Sequence, residues 1–117
     1  MRPKTIFCDI DGTLIEHMTP PEAASGKKGI LLQGTNEKLS EWDRKGYRII
    51  LTTGRKESIR DQTEKMLSEL GIFYDMLIMG IGGGDRIIIN DLKVDSDRET
   101  ASAICIKRNK GISKVEI

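Results

Sequence analysis

Two carboxylates near the start of the chain have a spacing that suits ligand chemistry. Asp9 and Asp11 close a short apolar run, residues 5–11, that is typical of a β-strand. Side chains two residues apart in a strand point to the same side, so the two acids should lie together. Two like charges held close are costly unless a cation lies between them. The pair therefore predicts a site for a cation and, through it, an anionic ligand.

Two later apolar runs end in polar residues of the same kind. Residues 47–52 lead into Thr53 and Arg55, and residues 86–90 lead into Asp91. Asp91 is followed at short intervals by Lys93, Asp95 and Asp97. Asp9, Asp11 and Asp91 together would offer only oxygen ligands, which is the donor set that Mg²⁺ prefers.

These residue types together favour phosphoryl transfer. Asp9 can attack phosphorus as a carboxylate nucleophile. Asp11 can protonate the leaving oxygen and later activate water. Thr53 can donate a hydrogen bond to a phosphate oxygen, and Lys93 can neutralise the charge that builds on it.

The elements that would position these residues alternate between strand and helix. Strands are predicted over residues 5–11, 47–52, 73–79 and 86–90. Residues 101–106 are compatible with a fifth strand, although their Ala-rich start also allows a helical turn. A helix with Thr35 or Asn36 as its N-cap is predicted to end at Lys45, before Gly46, and a second helix is predicted over residues 57–70, ended by Gly71. This order predicts a Rossmann-like α/β fold, a three-layer sandwich around a parallel sheet. Ligands of such sheets bind at the carboxyl ends of the strands, where the polar residues are expected.

The constellation resembles the haloacid dehalogenase superfamily of phosphohydrolases and phosphotransferases. The resemblance rests on DIDGT at residues 9–13, ILTTGR at 50–55 and IIINDLKVD at 87–95, and it spans residues 5 to about 106. It implies that Asp9 is the nucleophile and a metal ligand, and that Asp11 is the acid/base and ligates the metal through its backbone carbonyl. It also implies that Thr53 holds the phosphoryl group. The implied Mg²⁺ ligands are Asp9, Asp11, Asp91 and the supporting Asp95, and the candidate substrate-binding residues are Gly12, Thr13, Gly54, Arg55 and Arg86.

Two features depart from the family pattern. The family has a lysine that stabilises the phosphorylated intermediate, usually before the last acidic motif, yet no lysine lies between Lys65 and Asp91. Lys93 is the preferred substitute, followed by Arg86 and Lys56. The second departure is size, because residues 12–35 leave room for a flap-like insertion but no cap domain. The resemblance is therefore to small capless members, which either act on large substrates or use a neighbouring subunit of a homo-oligomer as a lid.

Length and composition predict one cytoplasmic domain over residues 1–117. The chain has 19 basic and 18 acidic side chains and a formal net charge of +1, which argues against a bulk polyanion binder. No apolar stretch approaches the length of a membrane span, so no membrane partner is expected. Cys8 and Cys105 lie in apolar runs and are expected to be buried thiols.

The leading hypothesis is a Mg²⁺-dependent phosphatase that forms an aspartyl-phosphate on a phosphosugar or a related small metabolite. A nucleotide or polynucleotide phosphatase is the alternative, because Thr53-Gly54-Arg55 resembles the phosphatase part of polynucleotide kinases; nucleic acid is otherwise not the expected partner. A receiver-like signalling domain would lack an acid two residues after its phosphorylated aspartate. A catalytically idle phosphate-binding relative would not need intact Asp9, Asp11 and Asp91.

Overall fold

A three-stranded parallel sheet forms the centre of the molecule. The computed structural model describes residues 2–117. The strands are β1 (Thr5–Asp9), β2 (Arg48–Thr52) and β3 (Met76–Ile78), in the order β1-β2-β3. The register pairs Asp9 with Thr52, and Thr52 with Ile78. All three strands therefore end at one edge of the sheet, as the sequence predicts.

Helices connect the strands, close to the predicted bounds. They are α1 (Pro20–Ala24), α2 (Thr35–Arg44), a 3₁₀ turn (Glu57–Ile59) and α3 (Arg60–Glu69). Gly46 and Gly71 follow α2 and α3 with φ of 77° and 72°, as expected of helix terminators. The predicted N-cap of α2, Thr35 or Asn36, is wrong, because Gly34 is the N-cap.

One face of the sheet is covered by the helices. Its side chains include Cys8, Leu51 and Leu77, which pack in a single apolar cluster with Leu39 and Trp42 of α2 and Met66 and Leu67 of α3. Right-handed crossovers in one direction along a sheet place both helices on the same side, which explains this arrangement. The opposite face carries Phe7, Met76 and Ile78, which are 54%, 44% and 37% exposed.

Two parts of the chain pack around the carboxyl end of β1: the segment before α2, residues 10–34, and the C-terminal tail, residues 107–117. Residue Ile15 forms isolated bridges with Asp11 and Leu31, and the Thr35 hydroxyl donates to the Leu14 carbonyl at 2.7 Å. In the tail, the backbone N–H of Asn109 donates to the Gly12 carbonyl. The tail has no regular helix or strand, yet Ile112 is only 3% exposed.

Residues 86–100 form an extended arm, and here two predictions are wrong. Residues 86–90 lie in no strand, and neither do residues 101–106. The two sides of the arm are joined near its tip by the Thr100 hydroxyl, which donates to the Asp91 carbonyl, and by Lys93 N–H, which donates to the Arg98 carbonyl. Only seven residues connect Met79 to Ile87, whereas a parallel crossover needs a dozen or more. The chain is too short there to return to the start of the sheet.

Candidate active site

The end of β1 brings together most of the predicted catalytic residues. Asp9 is the last residue of β1, and Asp11 follows after the buried Ile10. Thr53 comes directly after β2, the neighbouring strand, and is 1% exposed. Its backbone N–H donates to the Ile78 carbonyl, which ties the end of β2 to β3. The parallel register explains why residues more than forty positions apart along the chain share this edge.

Asp9 is held by the turn that follows it. The Thr13 hydroxyl donates to its Oδ2 at 3.2 Å. Asp9 remains accessible to solvent, but neighbouring atoms crowd its carboxyl group. This partial desolvation raises the pKa of Asp9, and the Asp11 carboxylate adds to the rise. The Thr13 and Ile10 hydrogen bonds and the positive charge of Arg86 act in the opposite direction.

Gly12 is required by the backbone of this turn. Its φ is +86°, a conformation that L side chains rarely adopt. A Cβ at this position would also lie 3.2 Å from Cγ of Arg108, in the C-terminal tail. The turn therefore permits the chain to leave β1 sharply while the tail packs against it.

Asp11 is bound on both oxygens by Arg55. Arg55 Nε donates to Oδ2 at 2.9 Å and Nη2 donates to Oδ1 at 2.8 Å, a bidentate pair. Arg55 Nη1 also donates to the Thr63 hydroxyl of α3 at 3.2 Å. The Arg55 side chain is 6% exposed. The arginine predicted to contact substrate therefore contacts the candidate acid/base, and its substrate role stays a prediction.

Thr53 follows β2, the strand next to β1, and its hydroxyl has one hydrogen-bond partner within residues 2–117. The hydroxyl oxygen accepts a hydrogen bond from the backbone N–H of Arg55 at 3.1 Å. A hydroxyl can accept and donate at the same time, so Thr53 can still donate its own hydrogen to a ligand oxygen. The backbone turn through Gly54 is fixed by Gly80, whose N–H donates to the Arg55 carbonyl.

The remaining predicted site residues lie in the arm, apart from this group. Asp91, Lys93 and Asp95 are exposed, and no hydrogen bond among residues 2–117 joins them to the end of β1. Within residues 2–117, no three acidic, histidine or cysteine side chains converge on one point. Arg86, at the base of the arm, is near enough for its charge to act on Asp9. Of the three cations considered for the missing lysine, Arg86 is thus the one near Asp9, while Lys56 is an exposed residue before the 3₁₀ turn.

The donors at the end of β1 fit a hard divalent cation in part. Asp9 offers an accessible carboxylate, and the Asp11 carbonyl accepts no hydrogen bond from any of residues 2–117. Both are oxygen ligands of the kind that Mg²⁺ takes. A third acid is needed to complete such a set, and Asp91 lies elsewhere in this structure.

Sequence reasoning missed the contribution of the C-terminal tail. Arg108 lies over Gly12, and the Asn109 side-chain oxygen accepts the backbone N–H of His17 at 2.8 Å. The tail has no clear periodicity, so the sequence carries no signal for this packing. Cys105 was also predicted wrongly, because it is exposed while Cys8 is buried.

The family model for haloacid dehalogenase-like hydrolases matches residues 6–99. The chain belongs to this family. The match covers all three predicted motifs and confirms the superfamily, the α/β fold class and the enzyme class, a haloacid dehalogenase-like hydrolase. No curated protein is significantly similar in sequence.

Solved structures with a similar fold include a chain from each of two structures of Pnkp1/Rnl/Hen1 complexes. One, in a structure of the Pnkp1/Rnl/Hen1 complex, is 30% identical with a TM-score of 0.59. The other, in a structure of the Pnkp1/Rnl/Hen1 RNA repair complex, is 32% identical with a TM-score of 0.60. The alignments cover 73% and 72% of this hydrolase but only 30% and 28% of those chains. This hydrolase therefore spans less than a third of the length of those proteins.

A Vibrio cholerae protein of comparable size shares the fold. It is 22% identical with a TM-score of 0.56, and the alignment covers 74% of this hydrolase and 79% of that chain.

In this hydrolase, no helix within residues 2–117 has the length and apolar character needed to span a bilayer.

Proposed function

We propose that this hydrolase cleaves phosphomonoesters with Mg²⁺ and through an aspartyl-phosphate on Asp9. The observation that supports the proposal is that Asp9 and Asp11 lie at the end of β1 while Thr53 follows β2, the adjacent parallel strand. A bound Mg²⁺, held by Asp9 and the Asp11 carbonyl, would reduce the repulsion between a phosphate dianion and these acids.

Asp9 supplies the nucleophile. Its Oδ2 accepts the Thr13 hydrogen bond, which fixes the carboxylate and leaves Oδ1 to attack phosphorus. The bond from phosphorus to the leaving oxygen breaks as the bond from Oδ1 forms. The Thr53 hydroxyl donates to a phosphoryl oxygen, and the charge of Arg86 offsets the negative charge that develops there.

Asp11 handles the proton in this scheme. It protonates the leaving oxygen in the first step and accepts a proton from water in the second, when water releases inorganic phosphate from Asp9. Arg55 holds both Asp11 oxygens in the structure, so one of these bonds must open before Asp11 reaches the leaving oxygen. Arg55 is thus a positioning residue for the acid/base.

The substrate class is proposed as a small phosphorylated metabolite, such as a phosphosugar. Within residues 2–117, no separate domain covers the carboxyl edge, and we propose that the segment over residues 12–35 acts as the flap. A nucleic-acid end is the second candidate. It is favoured by the 30–32% identity to chains in structures of Pnkp1/Rnl/Hen1 complexes and by Thr53-Gly54-Arg55, which resembles the phosphatase part of polynucleotide kinases. The net charge of +1 favours the metabolite.

Turnover of p-nitrophenyl phosphate tests the reaction itself. We expect repeated turnovers with Mg²⁺ and none with EDTA. A receiver-like domain would be phosphorylated without rapid turnover, and an idle relative would do neither. A panel of phosphosugars and a 3′-phosphorylated oligonucleotide, compared by kcat/KM, then separates the two substrate classes.

A further inference from the structure

The free edge of β1 and the apolar arm point to a second copy of the chain. We propose that two copies exchange arms, so that residues 86–92 of one copy pair in parallel with β1 of the other and bring Asp91 to the partner's Asp9. The inference rests on the proposed function for the role of Asp91, but the exchange itself is a statement about assembly.

The edge of β1 is available for a further strand. β1 pairs with β2 on one side, and within residues 2–117 no other backbone group bonds to Thr5–Asp9 from the opposite side. The adjoining sheet face carries the exposed side chains of Phe7 and Met76. An unpaired edge beside an apolar face is a ready template for strand addition.

The arm has the composition of an interior strand. Ile87, Ile88 and Ile89 are 82%, 53% and 92% exposed. Three consecutive β-branched residues, rather than an alternating pattern, are typical of a parallel strand that is buried on both faces. Such a run exposed to water on a monomer marks an interaction surface.

Chain length decides between pairing within one copy and pairing between two. Within one copy, the seven residues 80–86 are too few for the crossover that a parallel pairing requires. An antiparallel pairing would be possible because Arg86 lies near Asp9. It would, however, carry Asp91 away from Asp9 by about 17 Å along the strand. Only a parallel strand from a second copy ends with Asp91 beside the acids of β1.

The exchange would complete the site. A parallel strand over residues 87–91 places Asp91 at the carboxyl edge, where Asp9 and the Asp11 carbonyl lack a third acid. Lys93, two residues later, would reach the same edge and could supply the missing lysine. A reciprocal arrangement with a two-fold axis gives two such sites per dimer.

Oligomeric state is the first test. Light scattering after size-exclusion chromatography should show a dimer for the wild-type chain, Ile88→Asp should give a monomer, and Ile30→Asp should stay dimeric. Ile30 is a matched control because it is 52% exposed but lies outside the arm. A monomeric wild-type chain, or an Ile88→Asp variant that stays dimeric, would overturn the proposal.

Complementation is the second test and reports which copy supplies Asp91. Asp9→Asn and Asp91→Asn chains are co-expressed with different affinity tags, and the doubly tagged dimer is isolated. This dimer is assayed at a Mg²⁺ concentration that is too low to support activity of the Asp91→Asn dimer. It should show about half of the wild-type rate, because one of its two sites contains both Asp9 and Asp91. If each copy used its own Asp91, both sites of this dimer would be defective. A doubly tagged dimer that is no more active than the two single-variant dimers would therefore refute the exchange.

The two failures are distinguishable. If the wild-type dimer hydrolyses no phosphomonoester with Mg²⁺, the proposed function is wrong, while the chromatographic result still decides whether arms are exchanged. If the wild-type chain is active but complementation fails, the proposed function stands and the exchange is wrong.

Discussion

Arg55 binds Asp11 through two hydrogen bonds of 2.9 and 2.8 Å, and its guanidinium group is almost fully buried. The pair connects the acidic turn after β1 to α3 through the bond from Arg55 to Thr63. One arginine thus fixes the position of the candidate acid/base relative to the helix that covers the sheet. Its loss should affect both folding and catalysis.

Arg55→Met should lower the free energy of unfolding by about 3–5 kcal/mol, because Asp11 would be left in a mostly buried position without its partner. Denaturant unfolding measures this value. Arg44→Met, at an exposed position in the last turn of α2, should change the stability by no more than about 0.5 kcal/mol. Equal, small effects of the two substitutions would show that the buried pair contributes nothing to stability.

The raised pKa of Asp9 predicts a pH-dependent gain in stability for Asp9→Asn. A carboxyl group whose folded-state pKa lies above its ordinary value of 3.8 holds its proton more tightly in the native state. Stability is therefore lost as pH rises from the ordinary pKa through the raised pKa of the folded state, and the ionised carboxylate is destabilising at neutral pH. In EDTA, Asp9→Asn should melt above the wild type at pH 7, with a gap that closes as pH falls toward 3.8.

The matched control for this gain is Asp43→Asn, an exposed acid of α2 for which no such gap is expected. An Asp9→Asn variant that melts at or below the wild-type temperature at pH 7 would contradict desolvation as the cause of the raised Asp9 pKa.

Asp11→Asn should discriminate between leaving groups. Alkoxides need the proton that Asp11 supplies, whereas p-nitrophenolate departs without it. General acid catalysis contributes roughly 10²–10⁴-fold, so formation of the aspartyl-phosphate should slow far more for an alkyl phosphate. Single-turnover measurement of the first step is required, because the second step also loses its base. Equal losses for both substrates would exclude Asp11 as the general acid.

Asp91→Asn should mainly weaken Mg²⁺ binding. Asp91 is proposed to contribute charge and an oxygen ligand to the ion, with no bond to phosphorus. Much of the lost rate should therefore return at high Mg²⁺. Titration of the rate with Mg²⁺ measures the midpoint for the variant and the wild type, and an unchanged midpoint refutes the assignment. Asp97→Asn, also exposed in the arm, is the matched control.

The carboxyl edge of β1 and β2 could be predicted from the sequence because local patterns determine it. The apolar runs before Asp9 and Thr53 specify strands, and the glycines after α2 and α3 end the helices where the patterns stop. A parallel register then follows from the alternation of strands and helices. The grouping of Asp9, Asp11 and Thr53 is a consequence of these local features.

The arm and the tail could not be predicted in the same way. Residues 86–90 have the composition of a strand, but strand formation also requires a partner edge that the chain can reach, and the connection before Ile87 is too short. The bidentate bond from Arg55 to Asp11 joins residues 44 positions apart and depends on side-chain rotamers. The Arg108 contact depends on how an irregular tail packs. No periodic pattern encodes either contact.

The most direct test of the proposed mechanism is capture of the phosphorylated enzyme. The wild-type chain is mixed with p-nitrophenyl phosphate and Mg²⁺, quenched in acid within one turnover and digested for mass spectrometry. We expect one added phosphoryl group on the peptide that contains Asp9, lost on treatment with hydroxylamine, and none in Asp9→Asn, which should retain at most a few per cent of the activity. A wild-type chain that turns over without a phosphorylated Asp9, or an Asp9→Asn variant that remains active, would contradict the assignment of Asp9 as the nucleophile.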